Sequence, residues 1–223
     1  RFHDAGLDQD DPQSGIVMYE WVPGTELASE SLTDHGLTTV GRRLSLVLAK
    51  LAELHLVHRD IALPNVLLRP GTGRDGAALE PVLIDFGLAK KLVPGEERTQ
   101  DLAGRLDYLP KEILDRRHVT QAQAPKADVF QLGKTLEHAW KTGTHPGVRA
   151  ILVAMMADEP DDRISAREAY KRFSDLELEL ERRGQYREIK EEVAAHLQRL
   201  PRSHDRFRTC LLYTSDAADE RSS

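Results

Sequence analysis

Three polar residues in the middle of the sequence have side chains that could hold a metal ion and receive a proton. Asp60 follows His58-Arg59 and precedes Asn65 by five positions, and Asp85 comes twenty positions after Asn65. Phosphoryl transfer is one chemistry that uses such groups, because it needs a divalent cation held against phosphates, an aligned acceptor hydroxyl and a carboxylate that receives the hydroxyl proton. Two aspartates and an asparagine amide can supply these groups if the fold brings them together.

Hydrophobic patterns predict the elements that position these residues. Apolar residues recur at helical spacing over Leu37–Val57, so a helix should lead into His58. Two short apolar runs, Val66–Leu68 and Val82–Ile84, flank a glycine-rich connector and predict a small β-hairpin between the two motifs. Further helices are predicted over 128–140, over 148–157 and from Ser165, where a capping-box pattern begins.

The composition is that of an ordinary globular protein, with 40% hydrophobic and 30% charged residues among 223. No apolar run approaches the roughly 20 residues that span a bilayer, so no membrane partner is expected. The net charge of −6 gives no reason to expect nucleic acid. The composition leaves the oligomeric state open.

The two ends of the sequence look foreign to a native protein. The chain begins at Arg1 without a methionine or a signal-like segment, and we expect it to be truncated. The run Cys210–Glu220 resembles a translated sequencing-library adapter, so 209–223 is interpreted as an artefact. Because Cys210 is the only cysteine, the rest of the chain can form no disulfide, which favours a cytoplasmic location.

In this order, His58-Arg59-Asp60 with Asn65, followed by Asp85-Phe86-Gly87, resembles the catalytic loop and the Mg²⁺-binding loop of protein kinases. The resemblance implies ATP and Mg²⁺ as cofactors. Asp60 would orient and deprotonate the acceptor, and Asn65 and Asp85 would hold metal. Gly87 would permit the backbone turn after Phe86.

The resemblance extends over 1–173 and implies roles for further residues. Ile16–Val22 resembles the strand and hinge between the two kinase lobes, where the backbone of Glu20 and Val22 would meet adenine and Tyr19 would be the gatekeeper. A plain core strand is the alternative.

Three charged residues would support the loop or the segment after it. Glu112 and Arg163 would form a buried ion pair, with two unrelated surface charges as the alternative. Asp128 would brace the catalytic loop from below, with ordinary helix N-capping as the alternative.

Regulation is predicted from Arg59 and Thr99. An arginine beside the catalytic aspartate is associated, in this family, with control by a phosphorylated activation loop, because a guanidinium pairs well with phosphate. Thr99 is the only Ser or Thr between Gly87 and Glu112 and is the predicted phosphosite. A solvated threonine is the alternative.

The sequence departs from the family at three places. Ala62 stands where Ser/Thr kinases carry a basic residue, and Arg105 stands where they carry its threonine partner. We expect Arg105 to supply the charge that Ala62 lacks, although a solvated arginine would fit equally. Only 141–147 separates two predicted helices, which leaves no room for the usual docking helix. No glycine-rich loop, strand lysine or paired glutamate precedes the hinge, so the chain by itself is expected to be inactive.

These observations predict an α+β, mostly α-helical fold, a kinase-like C-lobe with a hinge strand and a small hairpin and with the N-lobe largely missing. The predicted parts are 1–24 for the end of the N-lobe and the hinge, 25–173 for the C-lobe, 174–208 for a charged helical extension and 209–223 for the artefact.

The predicted function is that of an ATP-dependent kinase fragment with a hydroxyl acceptor, expected to be protein Ser or Thr. A small-molecule kinase and a non-catalytic pseudokinase scaffold are the alternatives.

Overall fold

The computed structural model describes residues 2–7, 15–19, 22–70, 79–93, 103–115 and 119–199. Contacts between Cα atoms divide the chain into two units, Arg1–Leu176 and Glu177–Ser223. The described residues of the second unit are helical. None of the described helices is both long enough and apolar enough to cross a membrane.

The described ranges contain five α-helices and seven short strands. The helices are α1 (Asp34–Glu53), α2 (Lys111–Leu114), α3 (Ala124–Ala139), α4 (Pro146–Met155) and α5 (Ala166–Arg199). The strands are β1 (Phe2–Leu7), β2 (Gly15–Tyr19), β3 (Thr25–Glu26), β4 (Leu56–Val57), β5 (Val66–Pro70), β6 (Leu79–Leu83) and β7 (Lys90–Lys91).

The strands form three small antiparallel sheets. In the first, β1 pairs with β2, and in the second the order is β3-β5-β6. The predicted hairpin is therefore present, with Val66 opposite Leu83. In the third sheet β4 pairs with β7, so that Leu56 lies opposite Lys91.

The helix before His58 is shorter than its apolar pattern predicted. It ends at Glu53, and His55 then adopts a left-handed φ of 56° that no helix can continue. The backbone of Leu56 and Val57 instead pairs with β7, a partner more than thirty residues away. Hydrophobic periodicity could not separate these two residues from the helix, because both are apolar at a helical position.

The core of the first unit lies where α1 packs against α3. The buried apolar side chains of these two helices include Leu37, Val40, Leu44, Leu48, Val129, Leu132 and Leu136. Burying side chains of this size contributes about 1.5–3 kcal/mol each. This contact fixes the position of α3, the helix on which the site described below is built.

Helix α1 also approaches the N-terminal part of α5, and Gly41 makes this approach possible. A Cβ at Gly41 would lie 2.7 Å from Cζ of Phe173, a fully buried ring. Gly36, in the first turn of the same helix, has space, since its Cβ would meet Thr33 Oγ1 at 3.5 Å.

We predict opposite effects for alanine at these two glycines. Gly41→Ala should destabilise the domain by about 1–3 kcal/mol, because the buried ring has to shift. Gly36→Ala should be neutral or stabilising by up to about 1 kcal/mol through helix propensity. Urea unfolding of both variants measures the difference, and equal stabilities would contradict the close packing at Gly41.

Candidate active site

Residues 58–65, the catalytic-loop candidate, are held by one polar face of α3. Gln131 accepts from the Ile61 backbone N–H at 3.0 Å and donates to the Arg59 carbonyl at 3.0 Å. The Thr135 hydroxyl donates to the Gln131 carbonyl at 2.8 Å and also lies 3.2 Å from the Ile61 carbonyl. Neither residue belongs to a motif. The available signal was the recurrence of polar residues at 128, 131 and 135, which share one helix face.

Asp128 is the third member of this face. Its carboxylate accepts from the backbone N–H groups of His58 at 2.7 Å and Arg59 at 2.9 Å. It lies in the second turn of α3, whose N-cap is Gln123, so it is not an N-cap residue. Burial raises the pKa of Asp128 to about 6, while the two backbone hydrogen bonds and the Arg59 charge act in the lowering direction.

Asn65 orients the carboxylate of Asp60. Its amide nitrogen donates to the Asp60 carbonyl at 2.7 Å and to Asp60 Oδ2 at 2.8 Å. Both side chains are largely buried. The other carboxylate oxygen, Oδ1, is buried and has no hydrogen-bond partner among the described residues.

His58 connects the loop to the segment that follows β6. Its Nε2 lies 3.2 Å from the Ile84 carbonyl, which can only accept, so Nε2 carries the proton. Nδ1 then accepts from the Asp60 N–H at 3.4 Å. Burial lowers the pKa of His58 below its usual value, which favours this neutral form. The ring also meets Phe86 edge-on, with 4.7 Å between centroids.

Asp85 follows β6 and lies beside the loop, because the Ile84 N–H donates to the Asn65 carbonyl at 3.0 Å. It has a left-handed φ of 63°, which is rare for a non-glycine residue and is found disproportionately at functional sites. The turn expected from Gly87 therefore depends on positive φ at Asp85 rather than at Gly87. The Gly87 N–H donates to Asp85 Oδ1 at 3.1 Å, and a Cβ at Gly87 would lie 3.0 Å from that oxygen.

Arg105 reaches the same place from a distant segment. Its Nε lies 3.7 Å from Asp60 Oδ1, and its side chain is 49% exposed. Gly104 before it has a φ of 96°. A Cβ at Gly104 would lie 2.3 Å from the Arg59 carbonyl oxygen, so this approach requires glycine.

Glu112 and Arg163 form a bidentate ion pair inside the domain. Arg163 Nη1 donates to Oε1 at 2.7 Å and Nη2 donates to Oε2 at 3.2 Å, and the two side chains are 0% and 2% exposed. Arg163 also donates to the carbonyls of Ala157 and Lys126 and lies over the Phe130 ring. These bonds satisfy the buried guanidinium while they tie α2 to the segment before α5.

The residues predicted for the hinge and for regulation are only partly described. Val22 is half-buried, and Arg59 donates through Nε to the Leu88 carbonyl at 2.7 Å. Glu20 and Thr99, predicted for the hinge and the phosphosite, lie outside the described residues.

The geometry therefore places the Asp60 carboxylate, of which one oxygen has no hydrogen-bond donor among the described residues, a second carboxylate and a guanidinium around one loop. The protein kinase domain model matches residues 9–144, which is more than half of the chain. This chain belongs to the protein kinase family.

Several curated protein kinases are similar to this kinase domain. The serine/threonine-protein kinase pak-1 of Caenorhabditis elegans is 28% identical over 175 residues, which are 74% of this chain and 29% of that protein. Aurora kinase of Schizosaccharomyces pombe is 36% identical over 104 residues, 47% of this chain and 25% of that protein. The chain thus spans less than a third of the length of either relative.

The kinase family implies the use of ATP, typically with Mg²⁺, and the donor atoms here suit such a cation. Mg²⁺ prefers carboxylate and amide oxygens. Because Asn65 uses its amide nitrogen on Asp60, its oxygen is the end left for a metal. Asp85 is exposed, and among the described residues only its Oδ1 accepts a hydrogen bond, from the Gly87 N–H. A bound cation would neutralise phosphate charge there.

Breaking the buried ion pair should destabilise the domain strongly. Glu112→Gln leaves Arg163 buried without a countercharge, and we expect a loss of roughly 3–5 kcal/mol in unfolding free energy. The control is Lys111→Met, which removes the exposed pair of Lys111 with Asp158 and should cost less than about 1 kcal/mol. Urea denaturation measures both variants. A loss below 1 kcal/mol for Glu112→Gln would show that the pair does not hold α2.

The raised pKa of Asp128 predicts a pH dependence of stability. A carboxyl whose pKa is higher in the folded state binds protons more readily there, so its contribution is full below the unfolded pKa of 3.8 and is lost as pH rises through about 6. Relative to Asp128→Asn, the natural protein should gain about 1 kcal/mol between pH 7 and pH 5. Paired unfolding curves measure this difference; a constant or falling difference would contradict burial as the dominant influence.

Proposed function

We propose that the protein containing this chain is an ATP- and Mg²⁺-dependent kinase that transfers the γ-phosphoryl group to a hydroxyl of a protein Ser or Thr. The observation that carries the proposal is the Asp60 carboxylate, which is held through Oδ2 by Asn65 and has no hydrogen-bond donor among the described residues at the buried Oδ1. An acceptor hydroxyl would complete the hydrogen bonding of this oxygen.

In the proposed reaction the acceptor oxygen forms a bond to the γ-phosphorus as the bond to the ADP oxygen breaks. The hydroxyl proton passes to Asp60. Asn65 and Asp85 hold the cation, and the hydrogen bonds from α3 keep the loop rigid so that the carboxylate does not have to reorganise. Backbone groups of Glu20 and Val22 are proposed for adenine, and Thr99 for regulatory phosphorylation.

The named relatives support a protein acceptor, since pak-1 is a serine/threonine-protein kinase. One observation favours a small-molecule acceptor instead. Only residues 140–145 connect α3 to α4, which leaves no further helix there as a docking surface for a protein. A scaffold without activity is less compatible with the loop, because an unused Asp60 would leave a buried acceptor uncompensated.

Replacing the proposed base tests the reaction. In the full-length product of the gene, Asp60→Asn should lower kcat by at least about 10²-fold, because the amide cannot accept the proton, while ATP affinity is retained. Phosphotransfer from labelled ATP to a panel of proteins and small molecules measures it. Wild-type protein that binds ATP but phosphorylates nothing would support the scaffold, and transfer confined to small molecules would support the alternative acceptor.

A further inference from the structure

One oxygen of the Asp60 carboxylate is buried without a hydrogen-bond donor among the described residues. Oδ2 accepts from Asn65, whereas Oδ1 is buried and no described residue donates to it. Leaving a buried acceptor unpaired costs about 1–3 kcal/mol, and such atoms in native proteins call for an explanation. The cost indicates that this oxygen is kept for a partner that arrives with the substrate.

Arg105 faces that oxygen without bonding it. The 3.7 Å between Nε and Oδ1 allows electrostatic attraction but is longer than the 2.7–3.2 Å of an N–H···O hydrogen bond. The side chain is about half exposed, and the Arg105 guanidinium makes no hydrogen bond to a described residue, although the Arg105 carbonyl accepts from the Tyr108 N–H. Its guanidinium can therefore stay near the carboxylate and direct its donors to another anionic group.

The backbone holds Arg105 at this place. Gly104, at a φ of 96°, lies so close to the catalytic loop that a Cβ would overlap the Arg59 carbonyl oxygen. An additional contact follows one turn later, where the Tyr108 hydroxyl lies 3.3 Å from Nδ1 of His138 on α3. The segment is thus fixed on both sides of the arginine.

The loop itself contains one other cation near Asp60, the neighbouring Arg59. The residues between Asp60 and Asn65 carry no charge, and Ala62 is fully buried. Arg59 donates through Nε to the Leu88 carbonyl, while its Nη1 is buried without a hydrogen-bond partner among the described residues. Within the described ranges, Arg105 is the one cation recorded within 4 Å of the Asp60 carboxylate.

We infer that Arg105 is a catalytic residue, whose guanidinium contacts the transferring phosphoryl group while the acceptor hydroxyl bonds Asp60 Oδ1. The group carries negative charge on its equatorial oxygens as the bond to the acceptor forms and the bond to ADP breaks, and a preorganised cation stabilises that charge. The proton still passes to Asp60. This inference rests on the proposed function.

The experiment compares Arg105→Ala, Arg105→Lys and Lys111→Met in the full-length gene product. Arg105→Ala should lower kcat by about 10²-fold with little change in the KM for ATP, because the cation acts on the transition state. Arg105→Lys should recover most of that loss, and millimolar guanidinium should partly restore Arg105→Ala. Lys111→Met, an exposed cation six positions away that pairs with Asp158, should match the natural protein.

The outcomes separate this inference from the proposed function. If the natural protein and Asp60→Asn transfer phosphate equally, the proposed function fails. If Asp60→Asn is inactive and Arg105→Ala keeps its full kcat or becomes faster, the inference fails and the arginine is a passive or inhibitory neighbour. Equal losses in Arg105→Ala and Arg105→Lys, unaffected by guanidinium and accompanied by a lower melting temperature, would also overturn it, because they indicate a structural role.

Discussion

The site depends on the two hydrogen bonds that the Asp128 carboxylate accepts from the N–H groups of His58 and Arg59. The left-handed φ at Arg59 takes this part of the loop out of any regular ladder, so its N–H groups need side-chain acceptors. Burying a carboxylate for this purpose is costly, as its raised pKa shows. In return, the hydrogen bonds to helix α3 hold the backbone of the loop in a defined position.

A loop anchored in this way can serve as the meeting point of two other segments. Ile84 bonds to the loop through both its N–H and its carbonyl, which brings Asp85 alongside. Gly104 packs against the Arg59 carbonyl, the same carbonyl that Gln131 satisfies from α3. The groups proposed for catalysis therefore come from three separate parts of the sequence. Contacts with the loop, rather than contacts among these groups, set the position of each.

Features that depend on a local pattern or a strong motif could be predicted from the sequence. It predicted the hairpin of β5 and β6 and membership of the kinase family. It did not predict Gln131 and Thr135, because a buried glutamine or threonine in a helix has no motif and its partner is about seventy residues away. Nor could it predict positive φ at Asp85, since backbone strain at a non-glycine residue depends on contacts made by the folded chain.

The positive charge near Asp60 comes from a segment outside the loop that carries Asp60. A cation on the loop itself would share the rigidity of α3, whereas Arg105 comes from a segment held mainly by one glycine contact and by Tyr108. Its position therefore depends on the fold of that segment. Arg105 lies beside Asp60 only while residues 103–108 keep this arrangement. Asp60 and Asn65, in contrast, are held in place within the loop itself. An enzyme built in this way would couple the order of that segment to the rate of phosphoryl transfer.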